Sequence, residues 1–370
     1  MVRAPGTRDS LYGEPVARVF RPVPAPPTHN VRVGAWMLGA LALVTTCFAV
    51  TVVRILHVPI GSMLLIAGWL AIVAVGVYLG PGWWRREVEV VLTSKHVIWR
   101  RGRLRRSIDR RAITYARILW HPTLRGVGDL ELVRAVAMGP LRRTLSITLP
   151  DLEAPDAVWA EIRGVDPTRA LGDGGRPVGQ RLDRGERLLW TARPDGPGWD
   201  LRRVMTLGIA LVAFVVSARA LLGGIHALHA VYQAGVRPAS LSGGALVLAL
   251  AVSIGAVMFT GVLAAWHALV RPQQLVLNTR YVVTDRRVLI QRGKEELLLD
   301  RDRIVDVIDA PSDHGRRDLF LVVGGGKNAH AHALAGAFGE KVQAGALLPV
   351  LRAVVDSDTV RDILVTPRAA

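Results

Sequence analysis

The sequence predicts a membrane protein of mixed class: four transmembrane helices in two hairpins, each hairpin followed by a small cytoplasmic β-barrel that a C-terminal helix closes. Three observations carry this expectation, namely paired uncharged apolar runs, strand-like segments after each pair, and a stretch of sequence that occurs twice. The 370 residues are 51% apolar and yet 21% charged, with a mean hydropathy of +0.31. That mixture fits spans clustered beside soluble domains better than one evenly mixed globule.

Residues 33–53 and 58–79 form one pair of apolar runs, and 204–222 and 241–269 the other. Each run reaches the roughly 20 residues that a helix needs to cross about 30 Å of hydrocarbon. Arg18, Arg21 and Arg32 precede the first run, Arg85 and Arg86 follow the second, Arg202 and Arg203 precede the third, and Arg271 follows the fourth. The opposite loops and their flanks carry only Arg54, Arg219 and Arg237. The positive-inside bias therefore predicts a multi-pass protein of the cell membrane with both termini and the central segment in the cytoplasm. Trp36, Trp83, Trp84, Trp199 and Trp266 lie at the run ends, where interfacial anchors belong. Residues 1–32 lack a short apolar core followed by a small-residue cleavage site, so no cleavable signal peptide is expected.

The duplication organises the rest. Gly13-Glu14 and Arg21-Pro22 recur as Gly185-Glu186 and Arg193-Pro194, 172 residues on. Residues 91–113 align without a gap on 282–304 at an offset of 191, with eight of 23 positions identical. They include Thr93/Thr284, Gly102/Gly293, Asp109/Asp300 and Arg110/Arg301. The chain thus divides into a lead-in segment (1–32), a hairpin (33–84), a first domain (85–167), a linker with a second lead-in (168–203), a second hairpin (204–269) and a second domain (270–370).

After the second span the pattern becomes that of strands: residues 87–93, 97–99, 113–120, 130–136 and 144–149 are rich in β-branched and alternating apolar residues. A helix is expected near 155–162, with Val158, Trp159 and Ile162 packed on the sheet. The second half repeats the order at 275–284, 288–291, 295–299, 304–309 and 319–323, followed by a helix around 339–355.

The stretch from Tyr281 through Val282-Val283-Thr284-Asp285-Arg286-Arg287-Val288 to Gly293, followed by Asp300-Arg301-Asp302-Arg303-Ile304, resembles the bacterial pleckstrin-homology-like domain of YdbS/YdbT-type membrane proteins. The lead-in from Gly185 to Pro194 also resembles that family's stretch ahead of its membrane hairpin. The resemblance implies that each barrel is PH-like and that the protein is a tandem copy of this unit. The first copy departs from the motif: Val90 stands opposite Tyr281, and Ser94, Lys95 and His96 replace Asp285, Arg286 and Arg287.

No catalytic constellation emerges, and a non-enzyme without cofactor or metal is expected. His226 and His229 lack an accompanying Glu or Cys, and His330 and His332 fit a solvated strand face. Gly324-Gly325-Gly326-Lys327 lacks the spacing of a phosphate loop, and Cys47 lies inside an apolar run as a small filler. The spans hold no Asp, Glu or Lys, which disfavours a pump.

Charge offers the one candidate site. The formal net charge is +17, and the excess concentrates on Arg100, Arg101, Arg103, Arg105, Arg106, Arg110 and Arg111 just beyond the second span. Near an anionic leaflet each such side chain contributes about 1 kcal/mol of attraction. The expected role is a membrane-anchored binding or scaffold protein that engages anionic membrane lipids or an acidic protein partner, and a homo-oligomer is a further expectation. Nucleic acid is disfavoured, because no exposed aromatics interleave with the arginines. In the alternative, the basic hairpin pairs with Glu295 and Glu296 of the second domain as a structural self-assembly contact.

Overall fold

The computed structural model describes residues 10–11, 14–27, 29–56, 61–138, 141–166, 171–194, 201–233, 258–259, 261–311, 316–323 and 347–365. They belong to two compact units, one drawn from 1–194 and 278–370, the other from 195–277.

In the first unit, helices α1 (His29–Leu56) and α2 (Gly61–Arg86) follow one another and pack together. Among the residues whose side chains are described, the buried apolar ones are alanines seven apart, Ala35 and Ala42 on α1 and Ala67 and Ala74 on α2. The large side chains point away: Trp36, Leu65 and Trp69 are 77%, 75% and 66% exposed. Small residues inside and bulky apolar ones outside is the pattern of helices solvated by lipid, where close backbone approach replaces the hydrophobic effect as the packing force.

Two stretches among the described residues, Leu64–Arg86 and Val204–His226, are long and apolar enough to cross a membrane, and only 11% of the apolar window of each is buried. A third apolar stretch, Val31–Leu43, is shorter. The expected four spans are not what the described residues hold: two stretches qualify among them, and most of the run 241–269 lies outside the described residues. In the second unit, α4 (Leu201–Gln233) is followed by a π-helical turn, Trp266–Val270, and by α5 (Arg271–Leu277). Gly261 lies so near the Ala210 carbonyl that a Cβ would stand 3.3 Å from its oxygen, and Ala210, Ser217 and Ala268 are buried.

The strands of the first unit form three antiparallel sheets. Five lie in chain order: β1 (Ser10–Leu11), β2 (Glu14–Phe20), β3 (Val88–Thr93), β4 (His96–Arg101) and β5 (Leu104–Asp109). Next come β6 (Tyr115–Trp120), β7 (Val127–Met138), β8 (Leu141–Glu153) and helix α3 (Pro155–Arg163). The second half supplies β9 (Leu188–Ala192), β10 (Thr279–Thr284), β11 (Arg287–Arg292), β12 (Glu295–Asp300), then β13 (Ile304–Pro311), β14 (Arg317–Val323), β15 (Val350–Val354) and α6 (Ser357–Val365). The hairpin pairing Val88↔Arg101 recurs as Thr279↔Arg292, each residue shifted by 191.

Two self-contained PH-like barrels are not what these strands build. One seven-stranded sheet runs β8-β7-β6-β12-β11-β10-β9, so strands of both halves share it, and β13-β14-β15 forms a separate three-stranded sheet. The joint is β12 on β6, from Glu295↔Leu119 to Leu299↔Tyr115. Its cause is in the sequence of β12, where Leu297, Leu298 and Leu299 run consecutively. Leu298 enters one core with Ile118, Leu130 and Trp159, while Leu297 and Leu299 enter the other with Tyr115, Val307 and Leu319. A strand apolar on both faces must lie inside a sheet with both backbone edges paired.

Smaller corrections follow the same logic. The lead-in segments are strands, β2 pairing with β3 and β9 with β10. Residues 275–277, expected to begin a strand, belong to helix α5, and 350–354, expected to be helical, form β15 with α6 after it. The expected helix with Val158, Trp159 and Ile162 inward is α3.

Candidate membrane-facing basic site

The β4–β5 hairpin is set at the end of α2 by stacking and charge. Helix α2 finishes on Trp83-Trp84-Arg85-Arg86, with both tryptophans more than half exposed. The Arg101 guanidinium lies over the Trp84 ring at 3.4 Å from its centroid, and its Nη2 is 3.5 Å from Glu87. Arg85 Nη1 donates to Asp151 Oδ2 at 2.7 Å, which ties the same helix end to β8. The turn itself is two residues long, Gly102-Arg103 between Arg101 and its partner Leu104, and Gly102 has φ +56°, a conformation that glycine adopts without steric cost.

The seven arginines of the predicted site divide by environment. Arg100 pairs with Glu89, which also accepts from Arg21 at 2.7 Å, and the hydrogen bond from Arg100 is the main cause holding the Glu89 carboxyl below its usual range. Arg110 is structural: its Nε and Nη2 donate to the carbonyls of Ile162 and Glu161, closing the C-terminus of α3 at 2.7–2.9 Å. Arg301, its repeat equivalent, donates likewise to Ile363 O in α6. Arg103, Arg105, Arg106 and Arg111 are exposed and, among the described residues, make no ion pair. The first three lie on or beside β5, with Leu104 58% exposed between them.

Glu295 and Glu296 do not meet this hairpin. Glu295 pairs with Arg292 at 2.6 Å and accepts from Leu347 N at 2.8 Å, whereas Glu296 is buried against Arg181. Their contact between the halves is the backbone pairing of β12 with β6. Glu296 belongs to a buried charge network that draws Arg181, Asp183 and Glu186 from the segment expected to be linker and second lead-in. Arg181 also reaches Asp156 at 3.3 Å, Arg163 bridges Asp183 at 2.5 Å and Asp300 at 2.9 Å, and Arg287 grips Glu186. Burial is the first cause pushing the carboxyls of Glu296 and Asp300 above their usual range, against the pull of Arg181 and Arg163 respectively.

One signal in the sequence does point there. Glu186 repeats Glu14, and both hold a repeat-equivalent threonine: Thr93 Oγ1 donates to Glu14 at 2.7 Å, and Thr284 Oγ1 to Glu186 at 2.6 Å. The third partner differs, being His96 at 3.2 Å in the first half and Arg287 at 2.9 Å in the second.

His226 and His229 lie on α4, bonded to Leu222 O and Gln233, and no cluster of three metal-binding side chains occurs among the described residues. His330, His332 and the segment 324–327 lie outside the described residues, as does the side chain of Cys47. No family model matches the chain, and no curated protein or solved structure matches it either.

Proposed function

We propose that this chain is a membrane-anchored, non-enzymatic binding or scaffold protein whose β4–β5 turn engages anionic lipid headgroups at the cytoplasmic face. The observation that carries the reading is the Arg101–Trp84 stack, which fixes an exposed arginine-rich turn beside the end of an apolar helix. Tryptophan at a helix end favours the headgroup layer, and arginines held there feel the negative surface potential before it decays over about 8–10 Å. The cytoplasmic assignment rests on the arginine bias around the apolar runs. Of the site's four exposed arginines that make no ion pair among the described residues, Arg103, Arg105 and Arg106 lie at this turn, whereas Arg111 follows β5.

The test is amide hydrogen exchange on the full chain in nanodiscs, comparing purely zwitterionic lipid with lipid containing an anionic fraction. Residues 101–104 should gain protection only with anionic lipid, and Arg103→Gln/Arg105→Gln/Arg106→Gln should abolish the gain. Equal protection in both lipids would remove this reading.

A further inference from the structure

The joint between the two halves leaves its own equivalents open. β12 pairs with β6, but the strand that occupies the place of β12 in the first half, β5, is the last strand of its sheet. Likewise β13 occupies the place of β6 in the second half and is the last strand of the three-stranded sheet. The equivalence is positional: β5 pairs with β4 as β12 does with β11, Arg101↔Leu104 becoming Arg292↔Glu295, and Ile113 just ahead of β6 corresponds to Ile304 at the start of β13.

We propose that β5 of one chain pairs antiparallel with β13 of a second copy, in the register that β12 takes on β6. Carrying the intrachain register over by 191 residues sets Leu104 opposite Ala310, Arg105 opposite Asp309, Arg106 opposite Ile308 and Ser107 opposite Val307. Two features of the strands favour this occupant. All of residues 103–107 are exposed, and no strand among the described residues pairs with β5 on the side away from β4, which leaves an edge that can template another chain. In this register one opposite-charge pair forms: Arg105, which makes no ion pair among the described residues, comes opposite Asp309, which also bridges Arg317 of its own chain at 2.6 Å. Each chain has one of each edge, so two chains related by a two-fold axis satisfy both, closing a ring of four half-chains.

The test is disulfide trapping in the full chain with Cys47→Ala. In the intrachain joint Trp120 N donates to Lys294 O at 2.9 Å, so the neighbouring pair Leu119/Glu295 is a non-hydrogen-bonded one, whose side chains approach most closely. Its equivalent is Leu104/Ala310. Leu104→Cys and Ala310→Cys, on two differently tagged chains expressed together, should form a mixed disulfide under mild oxidation in bilayers with or without anionic lipid. Asp309→Cys, one residue off register and on the opposite face, should not replace Ala310→Cys. Native mass measurement of the unsubstituted chain in detergent should give at least two copies. A monomeric mass, or Leu104→Cys linking only to its own kind, would overturn the proposal. Lipid-independent trapping separates it from the headgroup reading, which predicts lipid-dependent protection of the turn.

Discussion

Arg287 holds Glu186 through two parallel contacts, Nε to Oε1 and Nη2 to Oε2, both at 2.9 Å, with the carboxylate fully buried. This fork joins the second lead-in strand region to the β10–β11 turn and completes itself with the Thr284 hydroxyl on the same oxygen. Removing one partner of such a pair strands the other. Arg287→Ala should therefore destabilise by about 3–5 kcal/mol in thermal or denaturant unfolding, whereas Arg105→Ala should change stability by less than about 0.5 kcal/mol. Arg287→Lys should recover only part of the loss, because an ammonium cannot make the planar two-point contact.

Asp300 and Glu89 should act on stability in opposite directions with pH. The Asp300 carboxyl is raised from an ordinary 3.8 by burial, so its favourable contribution is complete below 3.8 and is lost as the pH rises through its raised value. The Glu89 carboxyl is lowered from 4.5, first by the Arg100 hydrogen bond, so its contribution is complete above 4.5 and is lost as the pH falls through its lowered value. Melting temperatures measured between about pH 3 and pH 7 should accordingly show Asp300→Asn losing less stability than the parent on the way up. Glu89→Gln should lose less on the way down.

Tyr281 is buried at 3% exposure, and its hydroxyl oxygen accepts from Arg352 N at 3.0 Å. Burial is the first cause pushing its phenol up to about 12 from 10.0. Absorbance titration of the folded chain should show one tyrosine ionising about two units late, missing in Tyr281→Phe. The stability that the neutral phenol contributes is complete below 10.0 and is lost as the pH rises from there through about 12, so alkaline unfolding should be delayed in Tyr281→Phe.

The alanine seam between α1 and α2 predicts a size limit. Ala35→Leu or Ala67→Leu should cost about 1–3 kcal/mol through overpacking, read as loss of thermal stability in detergent, while Leu65→Ala on the outward face should cost far less.

Much of the strand content was legible because β-branched runs broken by glycine turns have few alternatives, and the gapless match of 91–113 to 282–304 reappears as an identical hairpin register. Helix α3 was legible from Val158, Trp159 and Ile162 for the same local reason. The pairing of β12 with β6 was not, since periodicity tells which faces are apolar but not which edge meets which. Leu297-Leu298-Leu299 was the one available sign that this strand lies between two cores. In the basic site, composition located the arginines but could not separate Arg110, spent on helix carbonyls, from Arg103, which is exposed. The buried ion pairs were hidden because Arg181 closes a glycine- and proline-rich stretch that reads as linker, and the repeat of Glu14 as Glu186 does not by itself tell which cation either carboxylate holds.

The shared seven-stranded sheet also governs the order in which the chain matures on the ribosome. Tyr115 emerges 184 residues before Leu299, the neighbour it will pair with, and the apolar stretch Val204–His226 is synthesised in between. At about 5–20 residues per second, the β6 edge stands unpaired for roughly 10–40 s during translation, and strand-binding chaperones would have their window there.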